Sequence, residues 1–192
     1  MFCKYSLLGL AALCSITIAA ALPFPGGDDP AALVKAIHRS KHTLADGIQQ
    51  VSKEAEVALS AKFEFDDEGK LALSIYTADK GLGVDAEHNV LQEYGGSPEQ
   101  TAWAPGVEIF KDVTHVARSA QQATLMALAR TSLLEVVKDV EKDTKGQVVS
   151  ITPVLEGRKA FFKVRTLVGD KLTETKRDLF EEEEESEEDE KH

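Results

Sequence analysis

Apolar residues fall at Leu33, Ile37, Leu44, Ile48, Val51 and Ala55, separated by 4, 7, 4, 3 and 4 positions, the period of one helical face. Asp28 and Asp29 stand at a helix N-cap position and Pro30 suits a first turn, so the spacing predicts a helix over 31–56, about 39 Å long. Gly47 weakens it by about 1 kcal/mol relative to Ala, which admits a break near Thr43. The period then drops to two. Leu59, Ala61, Phe63 and Phe65 alternate with polar residues, Asp66-Asp67-Glu68-Gly69 reads as a turn, and Leu71, Leu73 and Ile75 alternate again, which predicts a hairpin of half-buried strands. Asp79-Lys80-Gly81 turns the chain once more, and Val84–Tyr94 offers a third strand through Val90 and Leu91.

The same order is written again downstream. A shift of 89 aligns Leu44 with Leu133, Val51 with Val140, Lys53 with Lys142, Lys70 with Lys159 and Thr77 with Thr166; it also sets Ile48 on Val137, Leu73 on Phe162 and Ile75 on Val164. The second copy predicts a helix from about Val113 to Thr144, ended by Gly146. Strands follow around Val149 and Ile151, then over Ala160–Leu167 and Leu172–Phe180, with turns at Glu156-Gly157 and Gly169-Asp170. Pro153 has no N–H to donate, so its strand is expected at a sheet edge or bulged there. The expected fold class is therefore α+β: two repeats, each a long helix packed on a three-stranded antiparallel sheet. Units of about 60 residues are marginal alone, so the two are expected to pack together. The boundaries read as 1–21 signal peptide, 22–30 linker, 31–94 first unit, 95–110 linker, 111–180 second unit and 181–192 acidic tail. Trp103, in the second linker, reads as a packing plug between the units.

The chain ends change the picture most. Lys4 precedes an apolar run from Tyr5 to Ala21 that closes on Ala19-Ala20-Ala21, the pattern of a secretory signal cleaved near Ala21. The expected location is the cell envelope, periplasmic or secreted, with membrane contact only through this segment if it stays uncleaved. Both cysteines of the chain, Cys3 and Cys14, lie inside it, so the mature chain has no disulfide, thiolate metal site or cysteine nucleophile. At the other end, residues 181–190 hold nine acids and Ser186, too much like charge to bury. The net charge is −11: the tail carries −8, residues 22–180 carry −4 and residues 1–21 carry +1. The acidity thus belongs to the tail, and the balance argues against nucleic acid as a partner. The tail reads as a solubiliser, with weak Ca²⁺ binding or attraction to a basic partner as the functional alternatives.

Motifs for catalysis are missing. There is no His-Glu-x-x-His, Gly-x-Ser-x-Gly or phosphate-binding glycine loop, so no catalytic, cofactor or metal residues are assigned and the chain is read as not an enzyme. His38 and His42 share an i, i+4 spacing that can chelate zinc or copper, but Arg39 and Lys41 flank them and a solvent-facing pair is expected. His88 and His115 are isolated, and Asp66, Asp67 and Glu68 read as a hairpin tip rather than a calcium site. Lys159, Lys163 and Arg165 alternate along one strand, which places them on one sheet face, open to solvent, to the tail or to an acidic partner.

The segment Val84-Asp85-Ala86-Glu87-His88-Asn89-Val90-Leu91 resembles the C-terminal signature of the PepSY domain family, with Asn89 where that family has Gly; Asn tolerates the left-handed conformation nearly as Gly does. Gly146-Gln147-Val148-Val149 is similar to the family's entry into its first strand, while Thr173-Glu174-Thr175 departs from the Val-Asp-Ala element. The resemblance covers most of residues 31–180. It implies an α+β module, found in propeptides of secreted metallopeptidases and free-standing in exported proteins, that inhibits or chaperones peptidases or binds other exported proteins. It brings no catalytic residues and no cofactor. The functional expectation is a non-enzymatic exported binding module that captures extended peptide on a sheet edge. The alternative is a structural or cation-binding envelope protein acting through its Glu-rich tail.

Overall fold

A computed structural model describes residues 29–52, 56–85 and 87–180. The expected signal segment, most of the first linker and the acidic tail lie outside the described residues. The element order is α1 (Pro30–Ile37), α2 (Leu44–Val51), β1 (Val57–Phe65), β2 (Leu71–Ala78), β3 (Leu91–Gly96), β4 (Gly106–Ile109), α3 (Val113–Leu128), α4 (Leu133–Thr144), β5 (Gln147–Glu156), β6 (Lys159–Val168) and β7 (Lys171–Asp178).

The strands form one seven-stranded antiparallel sheet in the order β4-β3-β2-β1-β5-β6-β7. This corrects the expectation of two three-stranded sheets, each beneath one long helix. The meanders merge because their first strands pair: Ala61 stands opposite Ile151 and Lys62 opposite Ser150. Separate sheets would leave these two strands with open backbone donors and acceptors beside apolar side chains, a state that pairing removes. Pro153 therefore lies in a central strand, not at an edge. Its missing N–H falls just beyond the β1–β5 ladder, and the bulge in β5 lies earlier, between Val148 and Ser150.

Each expected long helix is two short ones. Thr43 caps α2 with a reciprocal box, its Oγ1 accepting from Asp46 N at 3.1 Å while Asp46 Oδ2 accepts from Thr43 N at 2.8 Å. Ser132 and Glu135 build the same box at the start of α4. The boxes sit 89 positions apart, and each favours a fresh helix start over continuation. A Cβ at Gly47 of α2 would lie 2.8 Å from Leu73 Cδ2, so this glycine brings the helix close to the sheet. Gly146 has a different role from the helix stop expected of it. The left-handed residue that ends α4 is Lys145, at φ 55°, and a Cβ on Gly146 would lie 2.7 Å from the Leu167 carbonyl oxygen.

The helices divide between the two faces of the sheet. Leu33, Ile37, Leu44, Ile48, Leu133, Val137 and Val140 join Ala61, Phe63, Leu73, Ile75, Ile151, Phe162 and Val164 in the core. α1 touches β1, β2 and also β7, at the far edge of the order, so the sheet curls around the helices on this side. α3 crosses the other face. Its buried Gln122 accepts from Ser60 Oγ at 2.9 Å, and Ser60 points opposite to its neighbour Ala61.

Candidate functional site

The two edges of the sheet differ in chemistry. β7 carries Lys171, Glu174, Lys176, Arg177 and Asp178 among its eight residues. Several are paired: Lys163 with Glu174 at 3.2 Å, Lys176 with Glu156 at 2.7 Å and Arg177 with Asp143 at 2.6 Å. A strand dressed in charge resists pairing with another chain. β4, at the opposite edge, reads Gly-Val-Glu-Ile and is exposed throughout. Val107 is 54% exposed and Ile109 53%.

β4 lies within the 95–110 stretch expected to be linker. Two buried aromatic residues fix its ends. Trp103 donates from Nε1 to the Gly96 carbonyl at 3.2 Å, and its own carbonyl accepts from Gln50 Nε2 at 3.0 Å. It thus plugs β3 and the β3–β4 connection onto α2, within the first half of the chain. Beyond β4, Phe110 stacks between Tyr76 and His115, with ring centroids 5.8 and 5.1 Å away. Asp112 then caps α3, accepting from His115 N at 3.0 Å.

The ladder sets which backbone groups are free. Phe110 N donates to Leu91 O at 3.0 Å, and the register pairs Glu93 with Glu108 and Gly95 with Gly106. Antiparallel pairing alternates, so Gly106, Glu108 and Phe110 turn their N–H and C=O toward β3. Val107 and Ile109 turn theirs outward, and among the described residues β4 pairs with β3 alone.

The side chains alternate as well. Val107 and Ile109 share a face with their partners Tyr94 and Gln92. Behind those, Glu56 Oε1 accepts from Thr77 Oγ1 at 2.6 Å and from Gln92 Nε2 at 2.9 Å, and Glu56 Oε2 accepts from Tyr94 OH at 3.0 Å. Burial, with this hydrogen bond to Glu56, pushes the Tyr94 hydroxyl above its ordinary pKa. On the other face, Glu93 and Glu108 stand opposite each other beside the next pair, Gly95 and Gly106, and with Val107 these residues line a shallow open groove. Tyr76, whose register partner is Glu93, has its phenol pKa pushed far up by burial first and then by the Glu64 and Glu93 charges; Arg118 acts weakly the other way.

Residues singled out in the sequence are dispersed. His38 caps the end of α1 and reaches Asp170 at 2.9 Å, while His42 lies past the helix and contacts the Gln100 carbonyl at 3.0 Å; they do not converge as a chelate. His88 contacts Asp85 and His115 contacts Asp112, each at 2.7 Å. Asp66, Asp67 and Glu68 form the exposed β1–β2 turn, where Asp66 Oδ1 accepts from Glu68 N and Lys70 N. Lys163 and Arg165 are half-buried on one sheet face, with Lys159 exposed at the start of the same strand. Asn89 does not take up the left-handed conformation. It accepts from Lys80 N and donates to the Gly81 carbonyl, closing the loop before β3. Among the described residues no cluster of His, Cys, Asp and Glu is placed to hold a metal, and no helix is long and apolar enough to cross a membrane.

The sequence reading missed β4, although a signal was present: Val107 and Ile109 alternate around Glu108 between Gly106 and Phe110. Compared with family models, with curated proteins and with solved structures, the chain matches none.

Proposed function

We propose that this chain is a non-catalytic binding module that takes up an extended segment of another exported protein, an extracytoplasmic peptidase among the candidates, as an eighth strand on β4. The observation that carries the reading is the outer edge of β4: outward N–H and C=O groups on Val107 and Ile109, two exposed apolar side chains, and rigid anchors at Trp103 and Phe110. Main-chain hydrogen bonds give such a site affinity, and alternate side chains give it selectivity. The charged β7 edge serves as the internal contrast. The PepSY resemblance of the sequence points to the same class of role.

The test is Val107→Pro. Proline removes one outward N–H and is tolerated at an edge position that donates nothing to its own sheet. An extended peptide should bind the wild-type chain and lose most of its affinity for the variant, with the circular dichroism spectrum unchanged. Equal binding by the two proteins would place the interaction elsewhere.

A further inference from the structure

We infer that the strand accepted by β4 alternates apolar residues with Lys or Arg, its cationic side chains lying over the groove where the Glu93–Glu108 pair adjoins the Gly95–Gly106 pair. This rests on the strand-capture reading and names the partner's chemistry. Because Val107 and Ile109 carry the outward hydrogen bonds, Glu108 falls at a non-hydrogen-bonded position of any antiparallel strand added there, where facing side chains approach most closely. The incoming residue opposite Glu108 therefore stands beside its carboxylate. Gly95 and Gly106 put no side chain on the adjacent sheet surface; it is open over Gly106, while over Gly95 the Glu93 carboxylate leans in, its Oε1 3.4 Å from where a Cβ would stand, so the stem of a Lys or Arg can lie along Gly106 and carry its charge toward Glu93. The residues on either side of that cation turn to the opposite face and cover Val107 and Ile109.

The same geometry disfavours a second copy of this chain as the occupant. Two β4 strands added antiparallel with Val107 opposite Ile109 of the partner subunit place the two Glu108 carboxylates face to face. Each is already flanked by a Glu93, which makes a row of four like charges, and like charges directly opposite are destabilising. A basic strand turns that repulsion into attraction.

The experiment uses three capped octapeptides that alternate Val with Lys, Val with Thr and Val with Glu, titrated into the full-length chain and followed by fluorescence anisotropy. Exposed ion pairs are individually weak, so the Lys peptide should bind about fivefold or more tighter than the Thr peptide, and the Glu peptide weakest. Raising the salt should shrink the difference. Glu108→Lys should reverse the order, and Glu93→Gln should narrow it without reversing it. Lys binding that survives Val107→Pro undiminished comes from nonspecific attraction and overturns the inference. Equal affinity for all three peptides overturns it too, while leaving strand capture standing. Binding of none of them removes strand capture itself, and self-association of the chain at micromolar concentration assigns the edge to a second copy.

Discussion

The two halves of the chain each lay a helix pair and an antiparallel meander into one sheet, and they differ where they handle buried polar groups and where they end. In the first half, Glu56 accepts from Thr77, Gln92 and Tyr94. In the second, the residue matching Thr77 is Thr166, which is fully buried with no hydrogen-bond partner for its hydroxyl among the described residues. The position matching Glu56 is Lys145, the left-handed residue that ends α4, and beside Thr166 lies the next residue, Gly146, whose added Cβ would be 2.8 Å from Thr166 Cγ2. The first half thus stiffens β3 with a polar cluster and ends in the bare strand β4. The second closes the same corner by backbone approach and ends in the charged strand β7. A shared pattern of elements can leave an open edge in one half and a charged edge in the other.

The largest effect tests whether the halves fold together. Leu73→Asp and Phe162→Asp each place an unpaired charge at a fully buried core position, at an expected cost of more than about 4 kcal/mol. Because both residues belong to one sheet, either substitution should abolish all structure in a single step. Two separate urea transitions, with one half surviving, would instead restore independent units.

The glycine pair comes next. Gly146→Ala meets a backbone carbonyl in the sheet and is expected to destabilise by about 2–3 kcal/mol. Gly47→Ala meets the end of the Leu73 side chain, and the helical preference for Ala over Gly returns about 1 kcal/mol, so its net change should stay below about 1 kcal/mol. Equal losses in urea denaturation would erase the contrast.

The threonine pair sharpens it further. Thr77→Val removes a donor to Glu56 and is expected to cost about 1–2 kcal/mol. Thr166→Val removes a hydroxyl that has no partner, so stability should hold or rise by up to about 1 kcal/mol. A loss at Thr166 as large as that at Thr77 would show that its hydroxyl is satisfied.

The smallest effect is electrostatic. Burial raises the pKa of Glu141, against the hydrogen bond its carboxylate accepts from Val148 N at 2.9 Å. An acid whose pKa is higher folded than unfolded favours the fold below its unfolded value, and that contribution is lost as pH rises through the folded value. Glu135, held low by hydrogen bonds from Ser132 and Thr131, works in the opposite direction. Glu141→Gln keeps an acceptor for Val148 and should therefore lose less stability than the wild-type chain as pH rises from about 4.5 toward 7. Parallel urea midpoints across that window would refute the assignment.

Much of the architecture was legible because burial imposes a period. The β1–β2 and β5–β6 hairpins follow from alternation bounded by turn residues, and one face of α2 and of α4 follows from Leu44, Ile48 and Val51 and from Leu133, Val137 and Val140. The helix breaks were less visible, since the apolar stripe runs on in phase across them. The capping boxes at Thr43-x-x-Asp46 and Ser132-x-x-Glu135 were the readable signal. The joining of the meanders was not legible, because pairing between β1 and β5 is a long-range event that local alternation does not encode. The candidate site stayed hidden for a related reason. β4 is only four residues long, and Gly106, Pro105 and Pro98 around it give the composition of a linker.

Amide hydrogen exchange at single-residue resolution tests the central claim most directly. In the free chain, Val107 and Ile109 should exchange fast while Glu108 and Phe110 are protected by β3. The Val–Lys peptide should then slow Val107 and Ile109 about tenfold or more and leave Glu108 and Phe110 unchanged, as expected for amides newly held in a ladder. Protection of all four residues in the free chain, or fast exchange at Val107 and Ile109 under saturating peptide, would contradict a β4 edge that is open and takes a strand.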